Sequence, residues 1–343
     1  MSRLSVVIVT QNHREAVREA LPALVAQLEE GDELVVVDND SSDGTPAAVS
    51  ELAPQASVIE AGANLGFGAG CNRGASIASG ELLCFVNPDA VPAPGFREGI
   101  ERPLADGRGW GAWQGLVTTE AGRVVNTWGG AVHFTGIAWA GGMGEPVPAD
   151  GVVSAEPGFV SGACLAIPRA TFERIGGFAE RFFLYHEDVD LSLRLRLAGQ
   201  RLGVEPSARV EHAYEFAKGQ AKWRRLEANR WATLVRTYPS SLLALLVPAL
   251  VATELALVPV AAAGGWLGQK VFSWGDTLRA LGRLLRERRQ IQKGRTIGAA
   301  EFARPLTPDL ASPYLGRAGG SRALRGALRA YWSLVLRLLG SAS

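Results

Sequence analysis

Carboxylates follow short hydrophobic runs at several points in the sequence, and these side chains have the clearest capacity for chemistry. Asp38 comes directly after Leu34–Val37, where it can accept hydrogen bonds from a nucleobase imide or a ribose hydroxyl. Asp89 follows Leu82–Val86 and a turn stiffened by Pro88. One such carboxylate suffices as the principal protein ligand of a hard cation when a diphosphate and water fill the other positions. A purely structural turn aspartate is the open alternative for Asp89.

A further acidic pair, Glu187 and Asp188, opens a predicted helix. The helix macrodipole stabilises negative charge at its N-terminus, which should keep a base ionised at neutral pH. Asp190 and Arg194 lie four positions apart and are expected to form an ion pair on the helix surface. A solvated helix start explains one or two acids, but not a Glu-Asp pair directly after the apolar-aromatic run Phe182–Tyr185. We therefore interpret the pair as a candidate acid-base group.

A glycine-rich stretch, Asn64–Gly74, opens another predicted helix and could present backbone amides to phosphate. It resembles a dinucleotide-binding fingerprint, but it follows the third predicted strand, and the turn after the first strand, Thr10–His13, contains no glycine. A dinucleotide-dependent dehydrogenase is therefore disfavoured. His212 ends a short strand-like segment, and a lone histidine is more often structural than a ligand.

Short hydrophobic strands and amphipathic helices alternate through the N-terminal part of the chain. The pattern predicts strands at Leu4–Thr10, Leu34–Val37, Val58–Ile59 and Leu82–Val86, and helices at His13–Leu28, Thr45–Leu52 and Phe67–Ala78. This alternation indicates an α/β fold with a mostly parallel sheet and flanking helices. Ligands of such sheets bind outside the carboxyl ends of the strands, where the polar segments above lie.

The segment from Trp110 to about Gly158 is rich in glycine and tryptophan and has only short β-like pieces. We expect an elaborated edge of the sheet there rather than further βαβ units. Beyond it, the pattern predicts a core strand and two helices, at Phe159–Ile167, Pro168–Ile175 and Glu187–Ala198.

Composition and charge narrow the class of protein. The 343 residues are 47% hydrophobic and 20% charged, which excludes a disordered chain. The net charge of +1 excludes the chain-wide basic field that gathers nucleic acid. The charge is unevenly distributed: residues 1–212 carry 15 basic and 27 acidic side chains, whereas residues 269–343 carry 14 and 4. An acidic catalytic body with a basic tail that meets an anionic partner, such as a membrane surface, is the expectation.

The cysteines and the first apolar run indicate the cellular compartment of the protein. Three cysteines, without metal-ligand spacing, favour neither a disulfide framework nor a zinc site, and reduced cytosol is expected. The run Leu4–Val9 is too short for the apolar region of a signal peptide, so we predict a first core strand instead.

The C-terminal part contains two segments typical of membrane contact. Leu242–Ala263 has 22 residues with one charge, Glu254, and two prolines, close to the ~20 residues of a spanning helix. Because basic residues crowd both flanks, we predict a broken, re-entrant or interfacial helix pair. A buried helical hairpin, packed on the catalytic domain or in a dimer interface, is the alternative. Arg322–Leu339 has the pattern of a basic amphipathic helix at a membrane surface.

Taken in order, these segments resemble glycosyltransferase family 2, which has the GT-A nucleotide-sugar fold, and they are most similar to its bacterial rhamnosyltransferase-like branch. The likeness covers about residues 4–212 and depends on five motifs: Val6–Asn12, Val37–Gly44, Asn64–Phe67, Asn87-Pro88-Asp89 and Glu187-Asp188. The resemblance implies that the nucleotide-binding residues are Thr10, Asn12, Asp38, Asn64, Gly66 and Asn72.

The resemblance also implies an inverting displacement. Asp188 would be the general base, with Glu187 beside it in the motif. Asp89 and His212 would hold Mg²⁺ or Mn²⁺ on the donor diphosphate, with Asn87 in place of the first carboxylate of the family's Asp-x-Asp motif.

We therefore expect a GT-A catalytic domain over residues 1–212, with a nucleotide-binding part (1–110) and an acceptor-side part (111–212), and a helical, membrane-associated region over 213–343. The expected donor is a dTDP- or UDP-sugar, rhamnose being the association of the branch. The expected acceptor is lipid-linked or a cell-envelope polysaccharide, at the cytoplasmic face of the membrane. An inert nucleotide-sugar-binding scaffold subunit is the alternative, a sugar-phosphate nucleotidyltransferase is disfavoured, and homo-oligomerisation is left open.

Overall fold

A nine-stranded mixed sheet organises the first of two units in the computed structural model, which describes residues 3–148, 156–212, 219–310 and 321–341. The first unit comprises residues 1–130, 140–195 and 200–214, and the second comprises 131–139, 196–199 and 215–343. The second unit thus takes in two short segments from the region expected to form the acceptor side.

The strands of the first half of the sheet are buried and parallel. Strands β1 to β5 are Leu4–Thr10, Glu33–Asp38, Ser57–Glu60, Leu82–Val86 and Ala90–Pro92. The order β3-β2-β1-β4 is parallel throughout, because helices α1 (Arg14–Val25), α2 (Thr45–Leu52) and α3 (Phe67–Ala75) provide the crossovers. The parallel sheet that the alternating pattern predicts is therefore present in this half.

The second half of the sheet is mixed. It contains β6 (Trp110–Thr119), β10 (Cys164–Pro168) and β11 (Arg201–His212), and the sheet continues from β4 in the order β10-β6-β11-β5. β10 runs antiparallel to β4 and β6, whereas β6 and β11 are parallel. Helices α4 (Phe96–Ala105), α5 (Arg169–Ile175) and most of α6 (Glu187–Leu197) complete the unit together with the short strand β7 (Val124–Thr127). The two-stranded sheet of β8 (Gly130–Val132) and β9 (Ala138–Ala140) lies mostly in the second unit.

The expected edge at Trp110–Gly158 is wrong for its first ten residues, because β6 lies inside the sheet between β10 and β11. Its glycines are packing residues. A Cβ on Gly115 would lie 2.4 Å from the carbonyl oxygen of Ala208 and 2.9 Å from the sulfur of Cys164. Glycine at this position lets the neighbouring backbone approach closely. Because glycine has a low strand propensity, the same residue makes the segment look like a weak strand in the sequence.

Five helices form most of the second unit: α7 (Ala221–Thr237), α8 (Ser240–Ala263), α9 (Leu267–Lys293), α10 (Ala299–Ala303) and α11 (Arg322–Ser341). α8 is one continuous helix, so the expected broken helix pair is wrong. Pro248 and Pro259 lie inside it, where each removes a backbone hydrogen bond without ending the helix. By length and composition α8 could cross a membrane. An 18-residue stretch of the helix has a mean hydropathy of 2.2, and only 22% of that stretch is buried.

Glu254, the single charged residue of α8, belongs to a buried ionic cluster. Glu254 contacts Lys270 of α9 at 2.7 Å and also pairs with Arg230 of α7. Glu227 of α7 pairs with both of these cations, at 2.9 Å from Arg230. Since Lys270 is fully buried, the cluster attaches the middle of α8 to α7 and α9 through charges that are removed from water.

Candidate active site

The turns after β1 and β2 are joined by predicted nucleotide-binding residues. Thr10 and Asp38 are register partners, and the Thr10 hydroxyl donates to Asp38 Oδ1 at 2.9 Å. Asp38 Oδ2 accepts the amide N–H of Ser41 at 2.9 Å, and the side chain is only 3% exposed. Asn12 Oδ1 accepts the amide N–H of Ser42 at 2.8 Å. A carboxylate has about four acceptor positions, so Asp38 can hold this turn and still accept from a ligand.

The glycine-rich loop packs against the chain that leads into α6. Gly66 has φ 82° and ψ 179°, a region open essentially only to glycine, and a Cβ there would lie 2.2 Å from the carbonyl oxygen of Phe183. That oxygen accepts the amide N–H of Phe67 at 2.9 Å. Asn64 Oδ1 in turn accepts the amide N–H of Gly66 at 3.0 Å. Asn64 and Gly66 therefore shape the loop and set how closely it approaches the acidic motif.

Asn72 lies on α3 and binds backbone. Its Nδ2 donates to the carbonyl of Phe178 at 2.9 Å, and its Oδ1 accepts the amide N–H of the same residue at 2.9 Å. A Cβ on Gly177 would lie 2.5 Å from that oxygen. The structure thus gives Asn72 a contact that positions the loop before α6, and its nucleotide contact stays a prediction.

The acidic pair stands at the start of α6 after two residues in the left-handed region, Tyr185 (φ 72°) and His186 (φ 67°). Such conformations cost free energy and cluster at functional sites. Asp188 Oδ1 accepts the amide N–H of Val189 at 2.8 Å, and Oδ2 accepts the amide N–H of Gly162 at 3.2 Å. The carboxylate is therefore held toward the loop that precedes β10. Gly162 was missed by sequence reasoning, because nothing in the Ser161-Gly162 dipeptide signals a contact with residue 188.

Burial raises the pKa of both carboxyl groups of the acidic pair. Burial raises the pKa of Asp188 to about 6, although the amides of Gly162 and Val189 oppose this. Burial and the charge of Asp188 raise the pKa of Glu187 well above its ordinary value. Glu187 Oε2 is buried without a hydrogen-bond partner among the described residues, an environment that favours the protonated form. The pair can thus retain one proton on Glu187 while Asp188 accepts another.

Strand pairing brings Asp89 and His212 together. In the antiparallel pair of β5 and β11, Ala90 is the partner of His212, so Asp89 lies beside the imidazole. His212 Nε2 is 3.0 Å from Asp89 Oδ1, with Asn87 Nδ2 at 3.4 Å from the same nitrogen. His212 is buried and Asp89 is partly exposed. Burial raises the pKa of Asp89, but the hydrogen bond and charge of His212 outweigh it and lower the pKa.

The Asp89 carboxylate and the His212 imidazole fit a divalent metal that a bound ligand also coordinates. Carboxylate oxygen and imidazole nitrogen suit Mn²⁺, and the carboxylate alone suits Mg²⁺. Across residues 3–148, 156–212, 219–310 and 321–341, no group of three or more His, Cys, Asp or Glu side chains is placed to hold a metal. Asp89 and His212 could therefore supply part of a coordination shell, with diphosphate oxygens and water as the remainder.

One loop connects the two acidic sites. The Ala163 carbonyl accepts the amide N–H of Asn87 at 3.1 Å, and the neighbouring amide of Gly162 donates to Asp188. The turn that carries Asp89 and the helix start that carries Asp188 thus flank residues 162–163. Side chains separated by about a hundred positions in the sequence converge on one edge of the sheet, where an α/β fold binds its ligands.

Comparisons with known proteins show the family of the chain. The profile of the family described as glycosyl transferase family 2 matches residues 5–141. An N-acetylglucosaminyl-diphospho-decaprenol L-rhamnosyltransferase of Mycobacterium tuberculosis is 31% identical over 260 residues, which cover 68% of this chain and 83% of that protein.

Two solved structures share the fold. The mannosyltransferase PcManGT from Pyrobaculum calidifontis, in complex with GDP-Man and Mn²⁺, superposes with a TM-score of 0.52 and 21% identity, covering 88% of this chain and 86% of that one. GalNAc-T7 with UDP, GalNAc and Mn²⁺ superposes with a TM-score of 0.57 and 16% identity, covering 70% of this chain and 49% of that one. The predicted GT-A fold is confirmed by these likenesses, and the chain belongs to glycosyltransferase family 2.

Proposed function

We propose that this chain is an inverting glycosyltransferase that moves a hexosyl group, with rhamnose as the leading candidate, from a dTDP- or UDP-sugar to a lipid-linked acceptor of the cell envelope. The observation that carries the proposal is the Asp188 carboxylate, held by the Gly162 amide beside the turn that carries Asp89. The name of the M. tuberculosis relative supports both the rhamnosyl donor and the lipid-linked acceptor.

In the proposed reaction, Asp188 removes the proton from the acceptor hydroxyl as its oxygen attacks the anomeric carbon. The bond from that carbon to the donor phosphate oxygen breaks on the opposite face, and the nucleoside diphosphate leaves with the electron pair. Asp89 and His212 would hold Mg²⁺ or Mn²⁺, and the metal would neutralise charge on the diphosphate. Burial keeps the pKa of Asp188 near 6, a suitable value for a base that is ionised at neutral pH.

The other predicted residues have supporting roles in this proposal. Thr10, Asn12 and Asp38 would contact the nucleoside at the turns after β1 and β2. Asn64 and Gly66 would shape the loop against which the acidic motif packs, and Asn72 would hold the backbone of Phe178. Glu187 would retain a proton beside the base.

The second unit would hold the enzyme at the cytoplasmic face of the membrane. Beyond its first turn, the outward residues of α8 are apolar, among them Val247 (54% exposed), Val251 (53%) and Leu255 (69%). α11 carries Arg322, Arg325 and Arg329 on an amphipathic helix. Apolar area together with cationic side chains is the combination that binds an anionic lipid surface.

A scaffold that binds nucleotide-sugars without turning them over is the second candidate. Asn87 favours it, because an amide replaces a carboxylate next to the proposed metal ligands and leaves a weaker anionic site.

A transfer assay separates the two candidates. The full chain is incubated with dTDP-rhamnose or UDP-sugars and a polyprenyl-diphosphate-linked N-acetylglucosamine acceptor, and the product is identified by mass spectrometry. Asp188→Asn should lower the rate by a factor on the order of 10³ while nucleotide binding persists. Asp106→Asn, an exposed aspartate after α4, is the matched control. Product formation at the wild-type rate by Asp188→Asn would remove Asp188 as the base. Absence of product with every donor, in protein that binds nucleotide, would favour the scaffold.

A further inference from the structure

A positively charged pocket of about 400 Å³ lies in the second unit, where α8 begins near the end of α9. Six residues line it: Ser240, Ser241, Arg288, Arg289, Gln292 and Arg295. Three of these side chains are cationic and none is acidic. The volume is that of a small-ligand site and exceeds what a single water requires.

The three arginines line one pocket, where Arg288 is held by hydrogen bonds to neutral groups. Arg288 Nη1 donates to the carbonyls of Val235 and Tyr238 at 2.7 and 2.6 Å, and Nη2 donates to the Ser240 hydroxyl at 2.8 Å. Burial and the charge of Arg295 lower the pKa of Arg288. In the part of the chain that the structure describes, neither Arg289 nor Arg295 forms a salt bridge with a carboxylate. Three cationic side chains that line one pocket favour occupancy by an anion.

The start of α8 adds a second source of positive potential. Ser240 and Ser241 form its first turn, and Pro239 precedes them, so no described side chain caps the helix. A helix of 24 residues carries partial positive charge at this end, and the first backbone amides are available to an anionic oxygen. The guanidinium groups, the two serine hydroxyls and the helix terminus thus converge on one pocket.

An apolar stripe begins where the pocket ends. Ser241 is exposed, and the exposed positions that follow at helical spacing are all apolar: Ala244, Pro248, Val251, Ala252, Leu255, Ala256, Pro259 and Ala262. At the helical rise of 1.5 Å per residue, the stripe from Ala244 to Ala262 is about 27 Å long. A phosphate site at the head of a long apolar face matches the two parts of a lipid.

We propose that the pocket lined by Arg288, Arg289 and Arg295 binds the phosphate group of a membrane lipid, whose hydrocarbon chain lies along the exposed stripe of α8. The guanidinium fork binds phosphate oxygens in pairs, and the serine hydroxyls donate to the remainder. The phosphate could belong to a bulk anionic phospholipid or to a polyprenyl phosphate, and both present the same oxygens. This inference rests on the membrane association in the proposed function and adds the chemical group that is bound.

The test measures binding of the full chain to three kinds of vesicle by cosedimentation, without any nucleotide-sugar. The vesicles contain phosphatidylcholine alone, phosphatidylcholine with phosphatidylglycerol, or phosphatidylcholine with a small fraction of undecaprenyl phosphate. The test variant is R289Q/R295Q, because both side chains are exposed and hold no backbone of the fold. The control variant is R286Q/K293Q, which removes the same charge from exposed positions of α9 outside the pocket.

We expect R289Q/R295Q to lose about tenfold or more in affinity for a phosphate-bearing vesicle, since it removes two guanidinium groups that line the pocket, whereas the control removes cations outside the pocket and loses much less. A loss on undecaprenyl phosphate alone supports the pocket and identifies the polyprenyl lipid as its source of phosphate. A loss on both phosphate-bearing vesicles supports the pocket with bulk phospholipid as a source. Equal losses in the two variants, or no preference of the wild type for phosphate-bearing vesicles, would overturn the proposal. Because no sugar donor is present, these outcomes are independent of whether transfer occurs.

Discussion

The Asp188 carboxylate accepts a hydrogen bond from the Gly162 amide at 3.2 Å, which fixes the start of α6 against the loop before β10. The next residue of that loop, Ala163, accepts from Asn87, two positions before Asp89. The proposed base and the proposed metal-binding turn are therefore positioned by adjacent peptide groups. This relationship predicts that activity depends on both the ionisation of Asp188 and the packing around it.

Transfer should fall as the pH is lowered through about 6. Burial raises the folded-state pKa of Asp188 to about 6, and a base acts only when ionised, so protonation below this value removes activity. The rate at about pH 5 should be roughly tenfold below the rate at about pH 8. Ionisation also costs folding stability: the raised pKa stabilises the fold below about pH 4 and this contribution is lost as the pH rises to about 6.

The pH profile of initial transfer rates checks this prediction, with nucleotide binding measured over the same range to show that the donor site is intact. A rate that stays level between about pH 5 and pH 8 would contradict the assignment of Asp188.

Gly66→Ala should damage the site more than an ordinary glycine substitution. The new Cβ would lie 2.2 Å from the Phe183 carbonyl oxygen, so the chain leading to Asp188 must move. Gly62→Ala is the matched control, because Gly62 also has a positive φ, 70°, but no atom lies within 4 Å of its added Cβ. The control should lose about 1–2 kcal/mol of stability with an unchanged transfer rate per folded molecule.

For Gly66→Ala we expect a larger stability loss and at least about a tenfold fall in transfer rate, since misplacement by about 1 Å can cost far more. Urea unfolding and initial rates measure the two quantities. Equal behaviour of the two variants would show that the contact with Phe183 does not position the base.

Lys270→Met should strongly destabilise the protein. Lys270 is fully buried, and its removal leaves Glu227 and Glu254 with Arg230 as the remaining cation of the cluster. Breaking such a buried pair costs about 3–5 kcal/mol. Arg279→Met is the control, because its ion pair with Asp276 is exposed at the arginine and should contribute about 0–1 kcal/mol. Urea denaturation compares the two, and a loss of less than about 1 kcal/mol for Lys270→Met would show that the cluster adds no net stability.

Much of the parallel half of the sheet was predictable from the sequence. The bounds of β1, α2 and β4 agree with their predicted ranges, because each is a continuous apolar run or a periodic segment bounded by turn residues. β6 was misplaced because its glycines lower its apparent strand propensity, although one of them, Gly115, admits the Ala208 backbone. Such a contact joins residues far apart in the chain, and a local pattern does not contain it.

The candidate site was predictable as a set of residues but not as a geometry. Asp38 and Asp89 could be identified because each follows a predicted strand. The adjacency of Asp89 and His212 depends on the pairing of β5 with β11, which no local signal predicts. The contact of Asn72 with Phe178 likewise depends on tertiary structure. Residues 242–263 were expected to form a broken, re-entrant or interfacial helix pair because of their basic flanks, whereas they lie in one continuous helix whose Glu254 joins a buried ionic cluster.

Calorimetric binding of dTDP, UDP and GDP to the full chain, with and without Mn²⁺, tests whether Asp89 forms part of a metal-assisted nucleotide-sugar site. We expect one nucleotide to bind and Mn²⁺ to strengthen its binding. Asp89→Ala should weaken the Mn²⁺-dependent binding by about tenfold or more, because it removes the exposed carboxylate of the pair. Absence of nucleotide binding in folded protein, or equal Mn²⁺-dependent affinity in the wild type and Asp89→Ala, would contradict this site.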